Sequence, residues 1–220
     1  MDEWTVWQLV DSALPVGGFA HSGGLEAAWR GGHIFDEQSL TNYLVSQLCQ
    51  WSSGILPLAI MAFRNSRNVI EADRLCDLYL NNPISNRASR AQGRAMLSMG
   101  ERIFAESGLA ELKETLKPSN SPAHFAPILG CVCRLLGFDA PQTSRLVLFL
   151  NLRGALSAAI RLGLIGPLAA GKLQHDLRQA AEYAAVYGLR ISPDEVAQTS
   201  PIAELFAAGH DRLYSRLFQS

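Results

Sequence analysis

The segment from Asp11 to Glu26, DSALPVGGFAHSGGLE, constrains the fold of this chain more than any other. Pro15 fixes its own φ angle and disfavours the helical conformation for the residue before it, so a regular helix cannot run through this point. Glycines follow at positions 17, 18, 23 and 24, and glycine tolerates positive φ angles and close approach of another backbone. On physical grounds alone, the segment predicts a corner between two helices.

The rest of the chain shows helical periodicity and almost no strand alternation. After a capping aspartate at Asp36, apolar residues recur three and four positions apart from Leu40 to Trp51. The same reasoning predicts further helices at 57–63, 69–81, 84–105, 127–136, 141–162 and 167–187. Lys117–His124, KPSNSPAH, is predicted as a loop between two halves. The sequence therefore predicts an all-α protein, a single-domain helical bundle of about eight to ten helices over residues 1–220.

Composition and charge exclude several classes of protein. Hydrophobic residues make up 48% of the chain, and the net charge of −1 gives no basic patch for nucleic acid. The longest apolar run, Leu146–Leu150, is far shorter than the roughly 20 residues of a membrane-spanning helix. The chain opens with acidic residues where a secretory signal is basic. We therefore expect a soluble cytoplasmic protein with no nucleic-acid or membrane partner.

The cysteines and histidines do not form a metal motif. Cysteines occur at 49, 76, 131 and 133, all in apolar helical runs, which favours reduced thiols packed in a core. Cys131 and Cys133 are two positions apart on a predicted helix and so point about 200° away from each other. The histidines, at 21, 33, 124, 175 and 210, have no short metal-ligand spacing. The sequence predicts no metal site and no intrinsic cofactor.

Two short patterns invite a catalytic or nucleotide-binding interpretation. Gly166–Lys172, GPLAAGK, has the spacing of a P-loop, but Leu173 replaces the hydroxyl residue that holds magnesium and Pro167 removes a backbone N–H. His21 and Ser22 are adjacent, although no nucleophile elbow surrounds them. Two functions therefore stay open on these residues alone: a small helical hydrolase that uses His21 and Ser22, and a generic helical adaptor.

The glycine-rich segment resembles the N-terminal signature of the urease accessory protein family UreF, D-S-x-L-P-x-G-[GA]-[FY]-x-[HY]-S-x-G-L-E. Three further stretches are similar to family segments: RASRAQGR at Arg87–Arg94, AIRLGLIG at Ala159–Gly166 and SRLF at Ser215–Phe218. Double glycine at 23 and 24, and glycine at 18 where alanine is frequent, depart from the usual pattern and predict a looser loop.

The resemblance implies an all-α homodimer that is not an enzyme. UreF proteins bind UreD, also called UreH, and recruit the GTPase UreG to apo-urease, where GTP hydrolysis is coupled to nickel insertion. By resemblance, this chain is a chaperone-like scaffold of a metallochaperone complex. The nickel cation is cargo in transit, and GTP is bound by UreG.

The candidate partner-binding residues lie in the matched stretches. Residues 211–220 are predicted to form an exposed tail whose apolar groups become ordered on a partner. Arg87, Arg90 and Arg94 share one side of a helix with no acidic residue nearby until Glu101, which predicts unpaired cations facing an acidic partner. The full candidate set is Pro15, Gly17, Phe19, His21, Gly24, Glu26, Arg87, Arg94, Arg161, Arg216, Leu217 and Phe218.

Overall fold

The computed structural model of the protein describes residues 3–16 and 18–219, and these ranges contain α-helices and no β-strand. The prediction of an all-α fold is confirmed. The helices are α1 (Glu3–Val10), α2 (Leu25–Arg30), α3 (Glu37–Ser53), α4 (Ile55–Arg64), α5 (Val69–Tyr79), α6 (Pro83–Ile103), α7 (Leu109–Leu116), α8 (Phe125–Leu135), α9 (Ala140–Arg161), α10 (Pro167–Asp176), α11 (Arg178–Gly188) and α12 (Pro201–Gly209).

Helix boundaries follow local capping chemistry. The Asp36 carboxylate accepts a hydrogen bond from the Ser39 amide at 2.7 Å, and the Asp36 amide donates to the Ser39 hydroxyl oxygen at 3.0 Å, so α3 begins where the sequence predicts. Asp139 and Gln142 form the same reciprocal cap at the start of α9. Proline occupies the first helical position of α6, α10 and α12, where its missing N–H costs no hydrogen bond.

Some predicted boundaries need correction. The predicted helix 167–187 is two helices, because the chain turns at Leu177 between α10 and α11. The predicted corner between two helices lies between α1 and α2, but the bounds of these helices and the helix α7 were not predicted, since each has at most eight residues and too few turns to show a clear period. The loop prediction for 117–124 is correct, as α7 ends at Leu116 and α8 begins at Phe125.

The core has two large parts that meet along α9. In the first, α8 is the central helix, and every residue from Ala126 to Cys133 is buried against its neighbours α4, α5 and α6. In the second, α2, α3 and α10 pack on the C-terminal half of α9, and α12 packs on α2. Leu146–Leu148 belong to the first part and Leu152–Ala159 contribute to the second. The long helix α9 therefore joins the two parts.

Helices α3 and α4 form one bent run, Glu37–Arg64, that is long and apolar enough by composition to cross a membrane. However, 67% of its most apolar window is buried inside the protein. The run packs on α8, α9 and α11, so its apolar side chains are used in the protein's own core.

Candidate functional site

The glycine segment, residues 11–26, turns the chain between α1 and α2. The Asp11 carboxylate accepts a hydrogen bond from the Ala13 amide at 2.8 Å, which fixes a tight turn before Pro15. Leu14 is buried while Pro15 is exposed. Gly17 and the side chain of Phe19 lie outside the described part of the chain, so their predicted roles stay predictions.

Gly24 is the most closely packed of the glycines that the structure describes in this segment. Its φ angle is +91°, a conformation that favours glycine, and a Cβ added there would lie 3.0 Å from the backbone nitrogen of Ala207 in α12. The Tyr43 hydroxyl donates a 3.0 Å hydrogen bond to the Gly23 carbonyl and holds the segment on α3. The segment is therefore fixed from two sides, which differs from the looser loop that its glycine content predicts.

Glu26, the first acid of α2, is fully buried and contacts the other end of the chain. We call residues 210–219 the tail. The Glu26 Oε1 accepts a 2.8 Å hydrogen bond from the Leu217 amide, and its Oε2 accepts a 3.2 Å bond from the Phe218 amide. The Oε2 also lies 3.2 Å from Nε2 of His210, which is fully buried too. With the tail in this position, Glu26 cannot contact a partner directly, contrary to its place among the surface candidates.

Phe218 is packed inside the protein, so the prediction that it is exposed in the free chain is wrong. Only 4% of its surface is accessible, and the Arg161 guanidinium lies 4.1 Å from its ring centroid in a cation–π contact. The next residue, Gln219, donates a 2.8 Å hydrogen bond from its amide to the Ala20 carbonyl. The neighbouring Leu217 is 57% exposed, as predicted.

The arginine helix, α6, is tied to the tail as well. Arg87 forms a 3.2 Å ion pair with Asp211, which also pairs with Arg216 at 2.7 Å. The prediction that these arginines lack acids is therefore wrong for Arg87, because its acid comes from a distant part of the chain. Arg94 is exposed, whereas Nε of Arg90 is buried with no hydrogen-bond partner among the described residues.

His21, within the glycine segment, is half-buried and lies near Arg87 and His210. Burial lowers its pKa below the ordinary histidine value, and the electrostatic influence of Arg87 and His210 lowers it further. The ring is therefore neutral at pH 7. Ser22, its neighbour, is only 4% exposed. Such a serine is poorly placed to reach a substrate, which counts against the His21 and Ser22 hydrolase alternative.

A cavity of about 220 Å³ lies beneath the glycine segment, between α3, α6, α9 and α12. It has room for several water molecules. Glu204 of α12 lines it, and Oε2 of this side chain is buried with no hydrogen-bond partner among the residues described. Burial raises the pKa of Glu204. Sequence reasoning missed this cavity, because its walls come from segments far apart in the chain.

Other candidate chemistry is not supported by the geometry. No group of three or more histidine, cysteine, aspartate or glutamate side chains within the described ranges could hold a metal ion. Burial raises the pKa of both Cys131 and Cys133 to about 12, as expected of core thiols, although Cys49 is exposed. The P-loop-like stretch is the start of α10, where Lys172 pairs with Asp176 at 2.6 Å.

A hydrogen-bonded Ser–His–Asp chain occurs elsewhere, at the loop before α8. Ser89 Oγ lies 3.1 Å from Nδ1 of His124, whose Nε2 lies 3.0 Å from Oδ1 of Asp77. Catalysis of acyl transfer also needs free donors for an oxyanion. Here the amides of His124 and the residue before it donate to Asp73, and the Phe125 amide donates to Ser89 itself. The arrangement therefore fixes this loop on α5 and α6 and offers no oxyanion site.

The geometry brings most of the candidate residues to one face, the N–C face, which consists of the glycine segment, the tail and the adjoining part of α6. At Glu26, the glycine segment and the tail are joined by residues 184 to 192 positions apart, and Arg87 of α6 contacts Asp211 of the tail, 124 positions away. Arg94 has no described contact that joins it to this face. Its neighbour Arg87 contacts the tail directly.

Comparison with known proteins agrees with the resemblance seen in the sequence. The family model of UreF matches residues 34–178. Urease accessory protein F of Oryza sativa subsp. indica is 38% identical over 219 residues, covering 98% of this chain and 84% of the relative. Urease accessory protein F of Arabidopsis thaliana is 36% identical over 222 residues, covering 99% and 92%. Urease accessory protein UreF of Arthrobacter sp. (strain FB24) is 31% identical over 219 residues, covering 97% and 95%. These alignments extend past residues 34–178 on both sides and so include the glycine segment, and the chain belongs to the UreF family of urease accessory proteins.

Proposed function

We propose that this chain is a non-enzymatic urease maturation factor that holds UreD (UreH) and UreG together on apo-urease. The observation that carries the proposal is the N–C face, in which two stretches that resemble UreF signatures are joined through one buried carboxylate. A chain whose signature residues build one surface, the N–C face, is suited to binding other proteins. The relatives' name, urease accessory protein, identifies urease as the enzyme served.

In this proposal the protein couples GTP hydrolysis by UreG to delivery of nickel into urease. The scaffold acts in the cytoplasm as a homodimer and has no cofactor of its own, because GTP is bound by UreG and nickel is cargo. The exposed residues Pro15, Arg216 and Leu217 supply the contact area for a partner. Arginine and large apolar side chains are common anchors of protein interfaces.

No specific observation favours the alternatives. A hydrolase that uses His21 and Ser22 would need an accessible hydroxyl, and Ser22 is buried. An adaptor unrelated to urease would leave the match to urease accessory proteins over almost the whole chain unexplained.

The proposal is tested by co-expression of apo-urease, UreD and UreG with and without this chain. We expect urease activity and bound nickel only when the chain is present, and we expect UreD and UreG to co-purify with it. In parallel, the isolated chain is assayed with ester and amide substrates. Full urease activation without the chain, or turnover by the isolated chain that disappears in Ser22→Ala, would contradict the proposal.

A further inference from the structure

The backbone amides of the tail make its main hydrogen bonds to the rest of the protein, and a single side chain, Glu26, accepts two of them. Both oxygens of Glu26 accept hydrogen bonds from consecutive tail amides, and His210 adds a third contact. We infer that Glu26 is a positioning residue, which fixes the tail in the conformation that it presents to a binding partner. This inference rests on the proposed function for the identity of the partner.

The carboxylate is well matched to this task. An ionised carboxyl group only accepts hydrogen bonds, and all three groups that face Glu26 can donate. An amide in its place would put an NH₂ group against at least one of these donors. Because the site is fully buried, water cannot replace a lost partner easily. Substitution by glutamine is therefore a nearly isosteric way to weaken the hold on the tail.

The same contacts decide which tail side chains face outward. The amides of Leu217 and Phe218 both donate to Glu26, and the two side chains diverge from there. Phe218 enters the core beneath Arg161, and Leu217 remains on the surface. In a tail released from Glu26, Leu217 and Phe218 would no longer be fixed on the surface and in the core, because both side chains would be mobile. A partner would then have to order them at a cost in entropy.

The remaining contacts of the tail stabilise its bound position less than those with Glu26. Asp211 bridges Arg87 and Arg216, but all three side chains are at least 42% exposed and such surface ion pairs contribute little. The amide of Gln219 makes one backbone bond to the glycine segment. Glu26 and the buried ring of Phe218 therefore dominate the attachment.

The first experiment measures tail attachment in the isolated full-length protein. Trypsin can cleave after Arg212 and Arg216, but a bond whose next amide is held by Glu26 should resist. Cleavage rates at these bonds are followed by mass spectrometry, together with hydrogen exchange of the 217 and 218 amides, for wild type, Glu26→Gln and Phe218→Ala. Glu204→Gln is the matched control, since that carboxylate contacts Gln50 and not the tail.

We expect Glu26→Gln and Phe218→Ala to accelerate cleavage by at least about tenfold, because each removes a main attachment, while Glu204→Gln cleaves like wild type. Far-UV circular dichroism should stay close to wild type in all variants. If Glu26→Gln fails to fold, hydrogen exchange of the 217 and 218 amides in wild type still tests the inference, because amides that donate to Glu26 should exchange slowly and rapid exchange would overturn it. Tail cleavage in wild type as fast as in the variants would overturn it.

The second experiment measures the affinity of the same variants for UreD. We expect weaker binding for Glu26→Gln and Phe218→Ala, in proportion to tail release. Tail release with unchanged UreD affinity would overturn the positioning role. If wild type does not bind UreD at all, the proposed function and the presentation of Leu217 are wrong, while the protease result alone decides whether Glu26 holds the tail.

Discussion

Gly24 shows how a single residue sets the shape of the glycine segment. Its positive φ angle and its contact with the Ala207 backbone are separate constraints. The neighbouring Gly23 has a positive φ angle of +60° but open space around it. The two glycines therefore allow the cost of backbone strain to be separated from the cost of a steric clash.

We expect Gly24→Ala to lower the free energy of unfolding more than Gly23→Ala. A non-glycine residue in the left-handed region costs about 1 kcal/mol or more, and the clash at Gly24 adds to this because a backbone atom cannot move aside easily. Urea denaturation of both variants is the measurement. Equal losses for the two would show that α12 shifts freely away from the segment.

His21 makes the stability of the N–C face depend on pH. Its pKa is lowered in the folded state from the value of 6.5 that it has in the unfolded chain. At a pH between the folded and unfolded pKa values, the unfolded state binds more protons at His21 than the folded state does. The free energy of unfolding therefore decreases as the pH falls below about 6.5. The raised pKa of Glu204 acts in the opposite direction, since the folded protein loses stability when this partly buried carboxyl group ionises as the pH rises.

We expect His21→Gln to reduce the loss of stability between pH 7.5 and about 5.5, because glutamine does not titrate there. The measurement is the free energy of unfolding at several pH values for wild type and variant. Glu204 is unchanged in both proteins, so the difference between the two curves isolates His21. Parallel curves would contradict the lowered pKa.

At the scale of elements, close helix crossings explain which glycines matter. In α8, a Cβ on Gly130 would lie 2.0 Å from the Ala59 carbonyl oxygen of α4. In α9, a Cβ on Gly154 would meet nothing within 4 Å. Both residues are inside helices, so their replacement by alanine has the same effect on helix propensity.

We expect Gly130→Ala to destabilise the protein by about 1–3 kcal/mol, because it forces α4 and α8 apart. Gly154→Ala should instead be neutral or stabilise it by up to about 1 kcal/mol, through the better helix propensity of alanine. Thermal melting of both variants checks this. A stable Gly130→Ala protein would mean that the two helices can separate without loss of packing.

The elements show what could be predicted from sequence. Asp36 and the proline at 167 mark helix starts correctly, because capping depends on residues within one turn. The break at Leu177 has no such local signal. The partners of Glu26 and Arg87 could not be predicted either, since they lie more than 120 positions away and depend on how the helices pack. Local chemistry was visible in the sequence, and the N–C face was not.

At the scale of the whole molecule, the proposed function makes the N–C face the surface that binds partners. Leu217 projects from it, held in place by the backbone bond to Glu26. Leu168 on α10 is an equally apolar side chain that is 92% exposed and lies outside the N–C face. The two leucines provide a matched pair for testing where a partner binds.

We expect Leu217→Ala to weaken binding to UreD by about tenfold or more, as for an interface anchor, while Leu168→Ala has no effect on it. Neither substitution should change the melting temperature, because both side chains are mostly exposed. Affinity is measured by calorimetry with purified UreD. A larger loss for Leu168→Ala than for Leu217→Ala would place the UreD contact on α10.

The long separation between Glu26 and its donors also has a consequence for the order of folding. The hydrogen bonds to His210, Leu217 and Phe218 span 184, 191 and 192 residues, and contacts of such range form late because a large loop must close first. Until residues 210–219 have been synthesised, Glu26 lacks these three partners. A translation product that ends before residue 210 would therefore contain the glycine segment but could not form the N–C face.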